Sequence, residues 1–108
     1  MKTLSFPKSK IKVLLLEKLD KAAFDIFSSE GYNVETYDGS LEEDELIKKI
    51  QDVSILGIRS KTNISKKVIE SANRLLSIGA FCIGTNQIDL IECAKKGVTV
   101  FNAPYSNT

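Results

Sequence analysis

Five short apolar runs, each followed by a stretch with helical spacing, decide what this chain can become. Ile11-Lys12-Val13-Leu14-Leu15-Leu16 is apolar and ends at charge, the mark of a buried strand. Leu19, Ala23, Ile26 and Phe27 then fall at i, i+4, i+7 and i+8, one stripe of a helix over residues 18–30 that Gly31 stops. Residues 32–37 read as a second strand, closed by the turn pair Asp38-Gly39. Ser40-Leu41-Glu42-Glu43 has capping-box spacing, and Leu46, Ile47 and Ile50 supply the inner face of a second helix. Val53-Ser54-Ile55-Leu56-Gly57-Ile58 is almost continuously apolar, which suits a central strand. Ser65 can cap a third helix packed through Val68, Ile69 and Ala72, before a fourth strand at residues 75–78. A loop over residues 79–85 leads into a fourth helix through Ile88, Ile91 and Ala94, ended by Gly97, and residues 98–101 form the fifth strand.

Connections this short permit only right-handed crossovers onto a parallel sheet. The expected fold is α/β: a flavodoxin-like, doubly wound parallel sheet of five strands, order 2-1-3-4-5, with helices on both faces. Residues 1–10 read as a loose arm, 11–101 as one domain and 102–108 as a tail without periodicity of its own. A chain of 108 residues buries roughly 60–70% of its unfolded surface, enough for one core.

Charge narrows the function. Fifteen basic and fourteen acidic residues leave +1, so no global field draws nucleic acid or an anionic membrane, and any anion site must be local. No apolar stretch is long enough to span a bilayer, and the opening residues lack the apolar run of a signal peptide. Cys82 and Cys93 form neither a disulfide framework nor a zinc pattern, which points to reduced thiols in a cytoplasm and no metal. The chain has no histidine, which removes His-dependent triads, His general acids and His metal sites from it.

In doubly wound sheets ligands bind beyond the carboxyl ends of the strands. Arg59-Ser60-Lys61-Thr62, after the third strand, offers a guanidinium, an ammonium and two hydroxyls, suited to a carboxylate or phosphate. A solvated polar turn accounts for the same residues. Gly79-Ala80-Phe81-Cys82-Ile83-Gly84-Thr85-Asn86, after the fourth, allows close backbone approach and leads to a helix N-terminus that favours an anion. Asn86 with Asp89 also reads as plain helix capping, and Cys82 as a small packing residue, since no histidine can activate it. Asn102 to Thr108 is the third such segment. Neither GxGxxG nor GxxxxGK[ST] occurs, so a nucleotide would be held mainly by residues outside this chain.

Three stretches in order and at matching spacing carry a resemblance: residues 57–62, residues 78–90 (Ile-Gly-Ala-Phe-Cys-Ile-Gly-Thr-Asn-Gln-Ile-Asp-Leu) and residues 100–108. Together they resemble the D-isomer-specific 2-hydroxyacid dehydrogenases, and among them the members that act on 3-phosphoglycerate. The resemblance implies a substrate domain interrupted by an NAD-binding domain. That second domain would supply the dinucleotide loop, an arginine, an acidic residue and the histidine that exchanges a proton with the substrate oxygen. No catalytic residue is then expected in this chain, which looks like a fragment cut at a hinge beginning at residues 102–108. By the same resemblance Arg59, Ser60 and Lys61 would contact the anionic end of a small phosphorylated hydroxy acid. The loop around Cys82, Ile83 and Gly84 would offer backbone N–H groups to its carboxylate, with Ile83 also on the cofactor side of the cleft. Asn107 would sit at the cleft between domains. The family often has arginine where Lys61 stands; lysine keeps the charge and loses the two-pronged geometry. The full-length protein would be a cytoplasmic homo-oligomer using NAD.

Two other classes compete. A stand-alone flavodoxin-like module that binds a small acid would have a reading frame ending near Thr108. A phospho-accepting receiver domain would need an aspartate at the exit of the third strand, where this chain has Arg59.

Overall fold

The computed structural model describes residues 10–19 and 21–102. Five strands, β1 (Lys12–Leu15), β2 (Asn33–Thr36), β3 (Val53–Ile58), β4 (Ser77–Ala80) and β5 (Thr99–Asn102), pair in parallel in the order β2-β1-β3-β4-β5. Between them lie α1 (Lys21–Ser29), α2 (Glu43–Ile50), α3 (Lys66–Ser71) and α4 (Leu90–Lys96). The topology is the one the alternation of runs predicts, with β3 at the centre. Being parallel and consecutive, β3, β4 and β5 release their following loops at one common edge.

Side-chain alternation divides the sheet into two faces. Leu14 and Leu16 of the first strand segment join Leu56, Ile58, Ile78 and Ala80 in a core closed by Leu46 and Ile50 of α2, Val68 and Ile69 of α3, and Cys93 of α4. On the other face Leu15 and Leu19 crowd beside Gly57. Gly57 and Gly79 are direct neighbours across β3 and β4. A Cβ at Gly79 would meet the rings of Phe101 and Phe81 at 3.3 Å, so the flat glycine pair makes room for aromatic rings at the sheet's carboxyl end.

Several expectations shift. The first helix starts at Lys21 and not near residue 18, because Glu17 and Lys18 adopt left-handed backbone (φ 64° and 51°) that no α-helix can continue. Its stripe is only partly covered: no α1 residue is buried and Ile26 is 61% exposed, since the helix packs against the edge strand β2. Ser40 does not cap α2. Glu42 is the N-cap without a side-chain bond, and Glu43, Asp44 and Glu45 complement the helix dipole instead. Ser65 caps α3 as expected, its hydroxyl accepting the Val68 N–H. The fourth strand lies two residues later than its apolar run suggests, so Gly79 and Ala80 belong to the sheet and the loop begins at Phe81. In α4 the buried residue is Cys93; Ile91 is 72% exposed, and Ile88 precedes the helix in a one-residue bridge to Ile64. Gly97 ends α4 in left-handed conformation (φ 74°), where a side chain would be strained.

Candidate functional site

The carboxyl exits of β1, β3, β4 and β5 are tied into one assembly. The chain leaves β1 under tight constraint: Leu16 N–H donates to Gly57 O (2.9 Å), Glu17 N–H to Gly39 O (3.0 Å) and Lys18 N–H to Tyr37 O (3.0 Å). This turn, through two left-handed non-glycine residues, lays the Glu17 carboxylate across the exit of β3. Oε2 accepts the N–H groups of Arg59 and Thr62 and Oε1 that of Lys61, each at 2.9 Å. Glu17 is only 8% exposed. Burial alone would raise its pKa, but the Thr62 side chain and the three backbone donors outweigh it and hold the carboxyl below its ordinary range. Among the described residues the buried Thr62 hydroxyl closes no hydrogen bond of regular geometry, so the three backbone donors are the contacts that geometry shows.

Held this way, Arg59, Ser60 and Lys61 are exposed. They form one wall of an open cleft of ≈ 280 Å³ whose other lining residues are Glu17, Asp38, Gly39 and Ser40. Among the described residues neither Arg59 nor Lys61 makes an ion pair, which leaves both cationic heads available to an anion. The acidic members, Glu17 and Asp38, balance the cleft's net charge. Glu17 is turned onto three backbone N–H groups, while Arg59 and Lys61 make no ion pair among the described residues.

The loop after β4 is fastened to the same place. Gln87 Nε2 donates to Arg59 O at 2.8 Å and to Cys82 Sγ at 3.3 Å, joining the two exit loops through one amide. The Cys82 thiol in turn donates to Gly84 O at 2.9 Å. Asn102, the last residue of β5, donates through Nδ2 to Ala80 O and Cys82 O. Backbone bonds from Ile64 N–H to Gln87 O (2.8 Å) and from Asp89 N–H to Ile64 O (2.9 Å) complete the seam. Ile83, 90% exposed, stands out from this frame. The described residues gather a guanidinium, an ammonium and hydroxyls at this edge, while the Cys82 sulfur bridges Gln87 and Gly84 O.

Of the sequence-predicted site residues, the structure brings Arg59, Ser60 and Lys61 together with Cys82, Ile83 and Gly84 along one edge, and Asn107 lies outside the described residues. At the helix start after the β4 loop, Asp89 caps α4 with its own carboxylate, accepting the Glu92 N–H at 3.0 Å. Sequence reasoning missed Glu17, Gln87 and Asn102 as frame residues. Glu17 reads along the sequence as the charge that ends a strand, and its partners lie more than forty positions away. Among the described residues no cluster of metal-ligating side chains occurs, and no helix is long and apolar enough to cross a membrane.

Comparison with known proteins agrees with this architecture. A family-wide sequence profile described as "D-isomer specific 2-hydroxyacid dehydrogenase, catalytic domain" matches residues 13–108. A D-3-phosphoglycerate dehydrogenase of Dictyostelium discoideum is 55% identical over 106 residues, covering 98% of this chain and 26% of that protein. One from Escherichia coli K12 is 45% identical over 109 residues, covering 100% of this chain and 27% of that protein. The NAD+-bound 3-phosphoglycerate dehydrogenase of Entamoeba histolytica shares the fold, with a TM-score of 0.77 at 20% identity over 88% of this chain and 33% of that one. The chain thus spans about a quarter of the length of the curated relatives it matches. A profile match across nearly the whole chain, with two relatives near half identity, places it in the D-isomer specific 2-hydroxyacid dehydrogenase family.

Proposed function

We propose that this chain is the substrate-holding part of an NAD-dependent dehydrogenase that oxidises 3-phosphoglycerate to 3-phosphohydroxypyruvate, the hydride passing to NAD and a proton leaving the hydroxyl, in L-serine biosynthesis. The observation that carries the reading is the joining of the exits of β3 and β4 by Gln87. It sets unpaired Arg59 and Lys61 beside the loop containing Cys82, Ile83 and Gly84, two recognition elements for a small acid with two anionic ends. Arg59, Ser60 and Lys61 take one end by charge-assisted hydrogen bonds. Main-chain N–H groups of residues 82–84 take the carboxylate. Asn107 is proposed at the cleft toward the cofactor.

Residues present here do not fit a dinucleotide: the six glycines never form a phosphate-cradling loop, so NAD would be held by parts of the protein outside this chain, with Ile83 at most an apolar contact. The proton acceptor would likewise lie outside, since the chain has no histidine. We place the full-length protein in the cytoplasm as a homo-oligomer, a setting that suits the free thiols of Cys82 and Cys93. The test is NAD reduction by the full-length protein with 3-phosphoglycerate beside unphosphorylated D-2-hydroxy acids such as D-lactate. Preference for the phosphorylated acid is expected. Preference for D-lactate would assign the chain to a different branch of the family, and binding of a small acid without turnover would favour a stand-alone binding role. The 108-residue chain by itself is expected to reduce no NAD.

A further inference from the structure

We propose that Glu17 is a positioning residue for substrate, the clamp that holds residues 59–62 so that Arg59, Ser60 and Lys61 face the cleft. The proposal rests on the substrate reading above and adds to it a residue from a different strand. Three observations converge on it. One carboxylate receives three backbone N–H groups, from Arg59, Lys61 and Thr62, all at 2.9 Å. The turn that delivers it uses two consecutive left-handed non-glycine residues, a conformation that persists only where the surroundings over-determine it. Those surroundings are the bonds from Glu17 N–H to Gly39 O and Lys18 N–H to Tyr37 O, which anchor the turn to the opposite wall of the same cleft.

The consequence is a division of labour within the loop. Backbone N–H groups at 59, 61 and 62 point inward to Glu17, so they cannot serve an incoming anion, and recognition on this wall falls to the side chains. A glutamine at 17 keeps size but replaces one acceptor oxygen with an NH2 donor. Whichever way its amide is turned, at least one backbone N–H then faces a donor, and the loop must move. An aspartate keeps the charge and falls short by one methylene.

The experiment uses the full-length protein carrying Glu17→Gln or Glu17→Asp. Amide hydrogen exchange is followed over residues 59–62, and KM and kcat are measured separately with 3-phosphoglycerate, with thermal melts alongside. Expected for Glu17→Gln are exchange over residues 59–62 faster by on the order of tenfold and a KM for 3-phosphoglycerate raised by about tenfold, more than kcat falls. The KM for NAD should be unmoved, and Glu17→Asp should recover part of both losses. Wild-type exchange and KM in a folded Glu17→Gln variant overturn the proposal. If Glu17→Gln does not fold, Glu17→Asp decides: wild-type exchange and KM in it likewise overturn the proposal, and faster exchange with a raised KM supports it. Faster exchange in a protein that never turns over 3-phosphoglycerate supports the clamp and overturns the substrate reading, which keeps the two failures distinct.

Discussion

Replacing Gly84 with valine separates ligand recognition from folding. A Cβ built at Gly84 meets nothing within 4 Å, and the backbone there lies outside the left-handed region, so the free protein has room for a side chain. Removing a glycine at such a position restricts the unfolded chain and stabilises by about 0.4–1 kcal/mol. The structure therefore gives no steric objection to a Cβ at 84, and a loss of activity in a variant that melts like the wild type points to a bound molecule. If the N–H groups of residues 82–84 hold a carboxylate, valine obstructs that approach. Losing one hydrogen bond to a charged group costs about 1.5–3 kcal/mol, roughly 10- to 150-fold in kcat/KM. The assay is steady-state kinetics of the full-length Gly84→Val protein with 3-phosphoglycerate, beside a thermal melt. Cys82→Ala is the companion variant: it removes a sulfur that accepts from Gln87 and donates to Gly84 O, but leaves the stronger Gln87 bond to Arg59 O. It should cost less than Gly84→Val. Wild-type kcat/KM in a folded Gly84→Val protein, or greater damage from Cys82→Ala, would refute backbone recognition by this loop.

Gly57→Val should behave in the opposite way, because even a Cβ there comes within 2.8 Å of Leu15 Cδ2 and Leu19 Cδ1; overpacking of this kind costs about 1–3 kcal/mol, read as a lowered melting temperature. Asn102→Ala removes the donors to Ala80 O and Cys82 O and should speed amide exchange in residues 81–84 while leaving β1 and β2 protected. Glu35 gives an acid-dependent term: the Lys49 ammonium, with Tyr37 and Lys12, overcomes burial and lowers its pKa from 4.5 to about 2. A depressed folded-state pKa means stability present above the unfolded value and lost as pH falls from about 4.5 through about 2. Solvent screens this partly exposed cluster, so its contribution is small. Glu35→Gln should flatten that part of the acid-denaturation profile, and an unchanged profile would show the cluster to be solvated decoration.

Much of the fold was legible because its signals are local. The apolar runs of β1 and β3, the glycine stops at Gly31 and Gly97 and the Ser65 cap each lie within a few residues of what they determine. The elements shift where two local signals compete. Leu75 and Leu76 resemble a strand start, but registry with β3 pairs Ser77 with Ile55 and carries the strand on to Ala80. Ile88 and Ile91 resemble a helical stripe, yet Asp89 caps the helix between them and turns Ile91 outward. In the site, Arg59, Ser60, Lys61 and the Cys82–Gly84 stretch were visible as unusual residues at strand exits. The frame was not, because Glu17, Gln87 and Asn102 act on backbone atoms 20 to 45 positions away. A carboxylate or amide whose partners are main-chain groups has no complementary residue type to search for.

The claim that the exit of β3 recognises the anionic substrate is tested most directly by kcat/KM for 3-phosphoglycerate in the full-length protein with and without Arg59→Ala. The substitution keeps the Arg59 N–H bond to Glu17 and its carbonyl bond from Gln87, so the loop should stay in place and the melting temperature should hold. Only the exposed guanidinium is lost. The account predicts a loss of roughly 10- to 150-fold, expressed mainly in KM. Unchanged kinetics in a folded Arg59→Ala protein would contradict it and return residues 59–61 to an ordinary solvated turn.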